Sequence, residues 1–153
     1  FRNDIAPKSY QFPIPTHGSE TKRNKTTLND VIDSLIPDDE KYYFSKRAIE
    51  GVKRAKPNMK RALAQDLNGQ CLTITSHLAK ASINSRDPVL LVDKINEKYR
   101  RFTPREAARI QSFPDKFKFA GSEQDAYRQV GQAIPPVLMW HIAKSIVETI
   151  NNL

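Results

Sequence analysis

The chain has one cysteine, Cys71, and five glycines in 153 residues. A single thiol excludes an internal disulfide and suits a reducing compartment. The glycines never cluster, so there is no Gly-rich loop to cradle a phosphate. His17, His77 and His141 are scattered, and with one cysteine they offer no His/Cys metal spacing. No nucleophile elbow occurs. Cys71 lies in Gln-Cys-Leu, with no neighbouring cation or helix N-terminus to lower its pKa, and reads as a packed thiol rather than a nucleophile. Long apolar runs are missing as well: nothing approaches the ~20 residues that a membrane-spanning helix needs. Acids are scarce, 17 against 25 Lys and Arg, for a net charge of +8. That excess favours an anionic partner, nucleic acid before a membrane surface, and its bland alternative is solubility. The start, Phe1-Arg2-Asn3-Asp4, is neither an initiator Met nor a signal peptide and reads as the interior of something longer.

What is present suits one ordinary α+β domain with a modest core. Pro7, Pro13 and Pro15 make the first 26 residues irregular. Thr27 to Leu35 reads as a short helix capped by Thr27, with Leu28, Val31, Ile32 and Leu35 on one face. Ser45 caps a second helix carrying Ala48, Ile49 and Val52, which stops before Pro57. Cys71 to Thr75 and Pro88 to Val92 read as strands. Thr103-Pro104-Arg105-Glu106 is a capping box with proline at the first helical position, and Pro114 bars continuation. Ser122 caps a helix to about Val130, broken by Gly131. A last helix begins near Pro136, its stripe of Leu138, Met139, Ile142, Ala143, Ile146 and Ile150 wide for so small a domain.

Between Lys41 and Arg61 stand eight cations and one acid, Glu50, with Tyr42, Tyr43 and Phe44 at the start. Such a cluster either neutralises phosphates without regard to base sequence or is a solvated helix face. The residues alone therefore reach a basic α+β domain that binds nucleic acid. No aromatic RNP-type signature points to RNA.

Two blocks extend this. Arg100 to Asp115 carries Arg-x-x-Thr-Pro-Arg-Glu-Ala-Ala-Arg-Ile-Gln-Ser-Phe-Pro-Asp along its whole length. Gln129 to Pro136 reads Gln-Val-Gly-Gln-Ala-Ile-Pro-Pro. They resemble the last two conserved motifs of the bacterial cytosine-5 DNA methyltransferases, the second departing from the usual form at Gln132 and Ile134. Phe1 to Asp4 with Phe12-Pro13-Ile14-Pro15 resembles the segment after that family's central Arg-rich motif. Residues 16 to 98 then stand in the place of the variable target-recognition region, and Leu72 to Thr75 resembles its short Thr-Leu element.

The resemblance implies three segments. Residues 1–26 are a linker leaving a catalytic lobe, 27–120 a target-recognition domain including the Thr103 helix, and 121–153 a return to the catalytic and cofactor lobe. It implies methyl transfer from S-adenosylmethionine to C5 of cytosine in duplex DNA, in restriction–modification and in the bacterial cytoplasm. The target base must leave the stack, at a cost of roughly a few kcal/mol. The family's Pro-Cys nucleophile, Glu-Asn-Val motif and Gly-rich cofactor loop are not in this sequence, so the chain alone is expected to be inactive. It would be a split subunit completed by a catalytic-lobe partner, or a piece of a longer enzyme. By position, the expected DNA contacts are Lys60, Arg61, Gln65, Thr73, Thr75, His77, Lys80 and Arg86, with Thr73, Thr75 and His77 alternating along one strand face. Thr103, Arg105, Glu106 and Arg109 are expected to be structural. Gln132 stands where the family has an Asn that contacts the methionine end of the cofactor; it keeps the amide and adds a methylene, and Ala133 can offer backbone groups. The final helix would dock on the missing α/β catalytic lobe. The competing reading is a stand-alone, non-catalytic DNA-binding module derived from a methyltransferase.

Overall fold

The computed structural model describes residues 10–14, 26–33, 40–55, 64–78 and 89–152. Two compact units divide the chain: residues 26–133, and residues 1–25 together with 134–153. The larger unit mixes helices with a small two-stranded sheet. Its elements run α1 (Lys46–Ala55), β1 (Leu90–Asp93), β2 (Lys98–Arg100), α2 (Pro104–Ile110) and α3 (Glu123–Gln132), with 3-10 turns at Leu28–Asp30 and Glu40–Tyr42. In the smaller unit the described parts are residues 10–14 and α4 (Pro136–Asn151). Among the described residues no helix is long and apolar enough to cross a membrane.

Strands β1 and β2 pair antiparallel, with Leu90 opposite Arg100 and Leu91 opposite Tyr99. The turn between them is fixed by Asp93, whose carboxylate accepts from the backbone N–H groups of Ile95 (2.9 Å) and Asn96 (3.0 Å) and from the Asn96 side chain (2.7 Å). This is the local side-chain mimicry that makes Asp a turn residue. Residues 42–44 extend the sheet edge: Arg101 N–H donates to the Tyr42 carbonyl at 3.0 Å and Phe44 N–H to that of Tyr99 at 2.9 Å.

The core gathers Leu28, Ile74, Leu78, Leu90, Phe102, Ala107, Ala108, Tyr127 and Val130. The small alanines of α2 let α3 pack against it, and the buried Tyr127 hydroxyl donates to the Phe102 carbonyl at 2.5 Å. Because α3 packs on α2, the compact unit runs on to Ala133.

Three local expectations are corrected by the structure. The helix expected over Thr27 to Leu35 is only a 3-10 turn in its described part, closed by Asp30 accepting from Thr27 N–H at 2.6 Å. A continuing helix would need the Asp33 N–H, but that donates to Glu106 Oε1 at 2.8 Å; Leu35 lies outside the described residues. Cys71 to Thr75 forms no strand. Its Leu72 N–H is taken by the Gln65 side chain at 3.0 Å, and Thr75 Oγ1 turns the chain by accepting from His77 N–H at 3.2 Å. Helix α3 passes through Gly131 to Gln132, and ends at Ala133, whose backbone is extended.

One buried interaction ties these parts together. Arg100 and Glu106, 1% and 0% exposed, form a two-point ion pair with both N–O distances at 2.8 Å. Glu106 also accepts from Thr103 N–H at 2.8 Å, closing the capping box in which Thr103 Oγ1 accepts from Glu106 N–H at 3.2 Å. With the Asp33 N–H on Oε1, each carboxylate oxygen has two donors. A buried charge is tolerated only when so fully satisfied. Glu106→Gln leaves the Arg100 charge buried without its counter-ion, and the expected loss is about 3–5 kcal/mol in urea unfolding. A loss below about 1 kcal/mol, the range of an exposed pair, would contradict this placement.

Candidate functional site

Of the stretch expected to carry the DNA contacts, Lys60 to Arg86, the described part, residues 64–78, is an irregular loop. Gln65 N–H donates to the Val89 carbonyl at 3.0 Å, and the Gln65 amide bridges Leu72 N–H and, at 3.8 Å, Cys71 Sγ. Leu67 and Gly69 offer their carbonyls to Asn29 and Leu28, both at 3.0 Å. Ile74 and Leu78 are buried, and between them Thr75 and Ser76 cross the backbone of α3 at Gly131. A Cβ on Gly131 would lie 2.4 Å from the Thr75 carbonyl and the Ser76 nitrogen. Gly131 is thus a site of close backbone approach rather than a helix breaker.

This geometry sorts the expected DNA contacts. Thr73 and His77 are exposed on the loop, and Thr75 is half-buried. They do not share a strand face, because the segment is not a strand. Gln65 is half-buried, with its amide engaged inside the loop. Lys60, Arg61, Lys80 and Arg86 lie outside the described residues.

Helix α2 shares the core with this loop through Ala107 and Ala108. Arg105 donates to the Phe117 carbonyl at 2.8 Å and lies over the Phe119 ring. Arg109 grips Asp115 through Nε (2.7 Å) and Nη2 (3.2 Å), and reaches Asp33 at 2.5 Å through Nη1. Asp115, and then Asp33, raise the Arg109 pKa, and Arg109 in turn holds Asp115 below the usual carboxylate range. Both arginines are engaged within the fold.

At the far end of α3, Gln132 is exposed and Ala133 is half-buried. The Ala133 N–H donates to the Val130 carbonyl at 3.2 Å, which leaves the Ala133 carbonyl and the Gln132 carboxamide as the groups on offer. In the smaller unit, Ser145 donates to the Gln11 carbonyl at 2.7 Å. No residue of α4 is buried; Val137, Leu138, Trp140, Val147 and Ile150 are between 44% and 57% exposed.

Arg100, Tyr127 and Gly131 are structural residues that sequence reasoning missed. Arg100 lies six residues before Glu106, with a turn between them, so no helical or strand period joins the two. For Gly131, the available signal is its place one residue before the end of an otherwise uninterrupted helix, where a glycine must have a packing reason.

A family model described as C-5 cytosine-specific DNA methylase matches residues 1–148. The chain is 30% identical over 169 residues to the type II methyltransferase M.FnuDI of Fusobacterium nucleatum, covering 99% of this chain and 49% of that one. With the type II methyltransferase M1.ScrFI of Lactococcus lactis subsp. cremoris it shares 28% identity over 146 residues, 94% of this chain and 35% of that one. The chain therefore spans about half, or less, of the length of these curated relatives. Among solved structures, the S. pombe Dnmt2 methyltransferase has a like fold, with a TM-score of 0.68 at 16% identity, over 85% of this chain and 44% of that one.

Two measurements check the packing. Gly131→Ala forces the Thr75–Ser76 backbone off α3 and is expected to cost about 1–3 kcal/mol, the range for overpacking; unchanged thermal unfolding would contradict the close approach. Burial, offset in part by Gln65, pushes the Cys71 thiol up to about 11. At pH 8 only about a thousandth would be thiolate, and the higher nucleophilicity of such a thiolate offsets part of that, so native Cys71 should alkylate at least about 10-fold more slowly than a free cysteine. Alkylation at the free-cysteine rate would contradict its packed role.

Proposed function

The chain belongs to the C-5 cytosine-specific DNA methylase family, and from that premise we propose that it is the DNA-recognition and cofactor-site-completing portion of a DNA cytosine-5 methyltransferase of restriction–modification type. The observation that carries this reading is a family match over nearly the whole chain alongside coverage of only 49% of M.FnuDI. The sequence holds no Pro-Cys dipeptide, so the nucleophile belongs to a catalytic lobe, either a partner subunit or another part of the same enzyme. The assembled enzyme would act in the bacterial cytoplasm on duplex DNA.

Within that reading each region has a task. Thr73 and His77, exposed on a loop held by Gln65 and Gly131, face the duplex, and residues of such types can donate or accept at major-groove base edges. Gripping both flanks of the site offsets the cost of taking the target base out of the stack. Arg105 and Arg109 stiffen α2 and its following loop, so that the reading loop has a rigid support. A carboxamide at Gln132 and a carbonyl at Ala133 suit one edge of a polar site, the amino-acid end of S-adenosylmethionine. The cofactor, when bound, supplies the methyl group; this chain's residues hold and orient one edge of it. The apolar side of α4 suits a covering partner, since exposed patches of this kind mark interaction surfaces.

The larger unit has its own core, which favours a second reading, a DNA-binding module that works without a catalytic lobe. Mixing the chain with a catalytic-lobe protein, a DNA duplex and methyl-labelled S-adenosylmethionine separates the two. The expected result is labelled DNA only in the complete mixture, and none with this chain alone. Label in no pairing, with duplex binding retained, would favour the stand-alone module.

A further inference from the structure

Helix α1 carries a charged face that the recognition loop does not account for. Lys46, Arg47, Glu50, Lys53 and Arg54 stand at i, i+1, i+4, i+7 and i+8, and so share one side of the helix. Ile49, at the edge of that side next to Lys46 and Lys53, is buried at 7% exposure. Lys46, Arg47 and Arg54 are exposed, and the four cations surround a single acid.

This face continues onto a second element. Lys53 Nζ reaches Glu97 Oε1 at 2.5 Å, and Glu97 lies in the turn between β1 and β2. Lys94 and Lys98, on either side of Glu97 in the chain, are exposed. The turn is held by the three Asp93 hydrogen bonds, so Lys94 in it and Lys98 at the start of β2 are presented from a fixed backbone.

We infer that the outer face of α1, together with the adjoining β1–β2 turn, grips the phosphates of the DNA duplex without reading its bases. The inference rests on the DNA-recognition reading above. Lys46 and Arg47 at one end of the face are seven residues from Lys53 and Arg54 at the other, roughly 10 Å along the helix. That distance matches the rise of about three phosphates along the duplex axis, at ~3.4 Å each for one strand. Side chains as long as Lys and Arg can place their charges on such a row. An ammonium or guanidinium at a phosphate neutralises charge and releases counter-ions whatever the base sequence, so this surface contributes affinity and register while Thr73 and His77 contribute preference. Glu50, in the middle of the face, opposes the same phosphates.

The test is the salt dependence of duplex binding by the full chain. Lys46→Gln, Arg47→Gln and Arg54→Gln combined should flatten the slope of log affinity against log salt by about 2 to 3 units, about 0.9 for each phosphate no longer neutralised. The weakening should be equal on duplexes of different sequence. Glu50→Gln alone, which leaves the core untouched, should tighten binding several-fold at low salt. Lys144→Gln on α4 should leave the slope as it was. A triple variant with the wild-type slope, or a Glu50→Gln variant with unchanged affinity, overturns the inference while leaving DNA recognition by the chain intact. Failure of the unaltered chain to bind any duplex at low salt overturns the recognition reading and this surface with it.

Discussion

The Glu106 carboxylate is the point on which the larger unit depends. It faces the Arg100 guanidinium at two points, caps α2 through Thr103 N–H, and takes the Asp33 N–H from the segment that follows the first 3-10 turn. End of sheet, start of helix and a remote loop thus converge on one ionised group with no exposure. In a low-dielectric interior such a group is costly unless every lone pair is met, and here each oxygen has two donors. The arrangement therefore fixes three backbone directions at once. A second ion cluster, Arg109 with Asp33 and Asp115, holds the same loop and the turn after α2 from the more exposed side.

From this frame the rest follows by packing. Ala107 and Ala108 keep α2 slim enough for α3 to lie close, and Tyr127 reaches through to Phe102. Gly131 then lets the Thr75–Ser76 backbone rest on α3 with no side chain between them. The loop carrying Thr73 and His77 is consequently irregular but not unsupported. Another cross-tie, Lys41 and Tyr42 on Glu123, fixes residues 40–44 to α3. Burial acts to raise Glu123, but hydrogen bonds from Lys41 and Tyr42 outweigh it and hold its pKa below the usual value. The tie is therefore complete above the ordinary carboxylate range and weakens as acid protonates Glu123.

Much of this was legible in the sequence where the cause is local. The capping boxes at Thr103 and Ser122, the Ser45 cap and the proline-started last helix are each set by neighbours three or four residues away. The motif Arg100 to Asp115 led to the family because a long run of specific residues is rare by chance. What was not legible depends on partners outside any helical or strand period. The helix expected after Thr27 is lost because the Asp33 amide has a partner 73 residues away. The strand expected at Cys71 lacks a ladder because Gln65, six residues before it, takes the Leu72 amide. Nothing in a period of 2 or 3.6 marks Arg100 as buried, and its charge argues for the surface until Glu106 is placed beside it.

The cations of the chain divide in the same way. Arg100, Arg105 and Arg109 are engaged within the fold, while Lys46, Arg47 and Arg54 of α1 are exposed. In a basic chain, then, position rather than charge separates the scaffold from the surface proposed to meet DNA. Amide hydrogen exchange tests the central role of Glu106 most directly. The Asp33 and Thr103 amides should be protected together, at the level of a core amide such as Ala107, and Glu106→Gln should lose protection at both. Rapid exchange of the Asp33 amide in the unaltered protein, with Thr103 still protected, would contradict it.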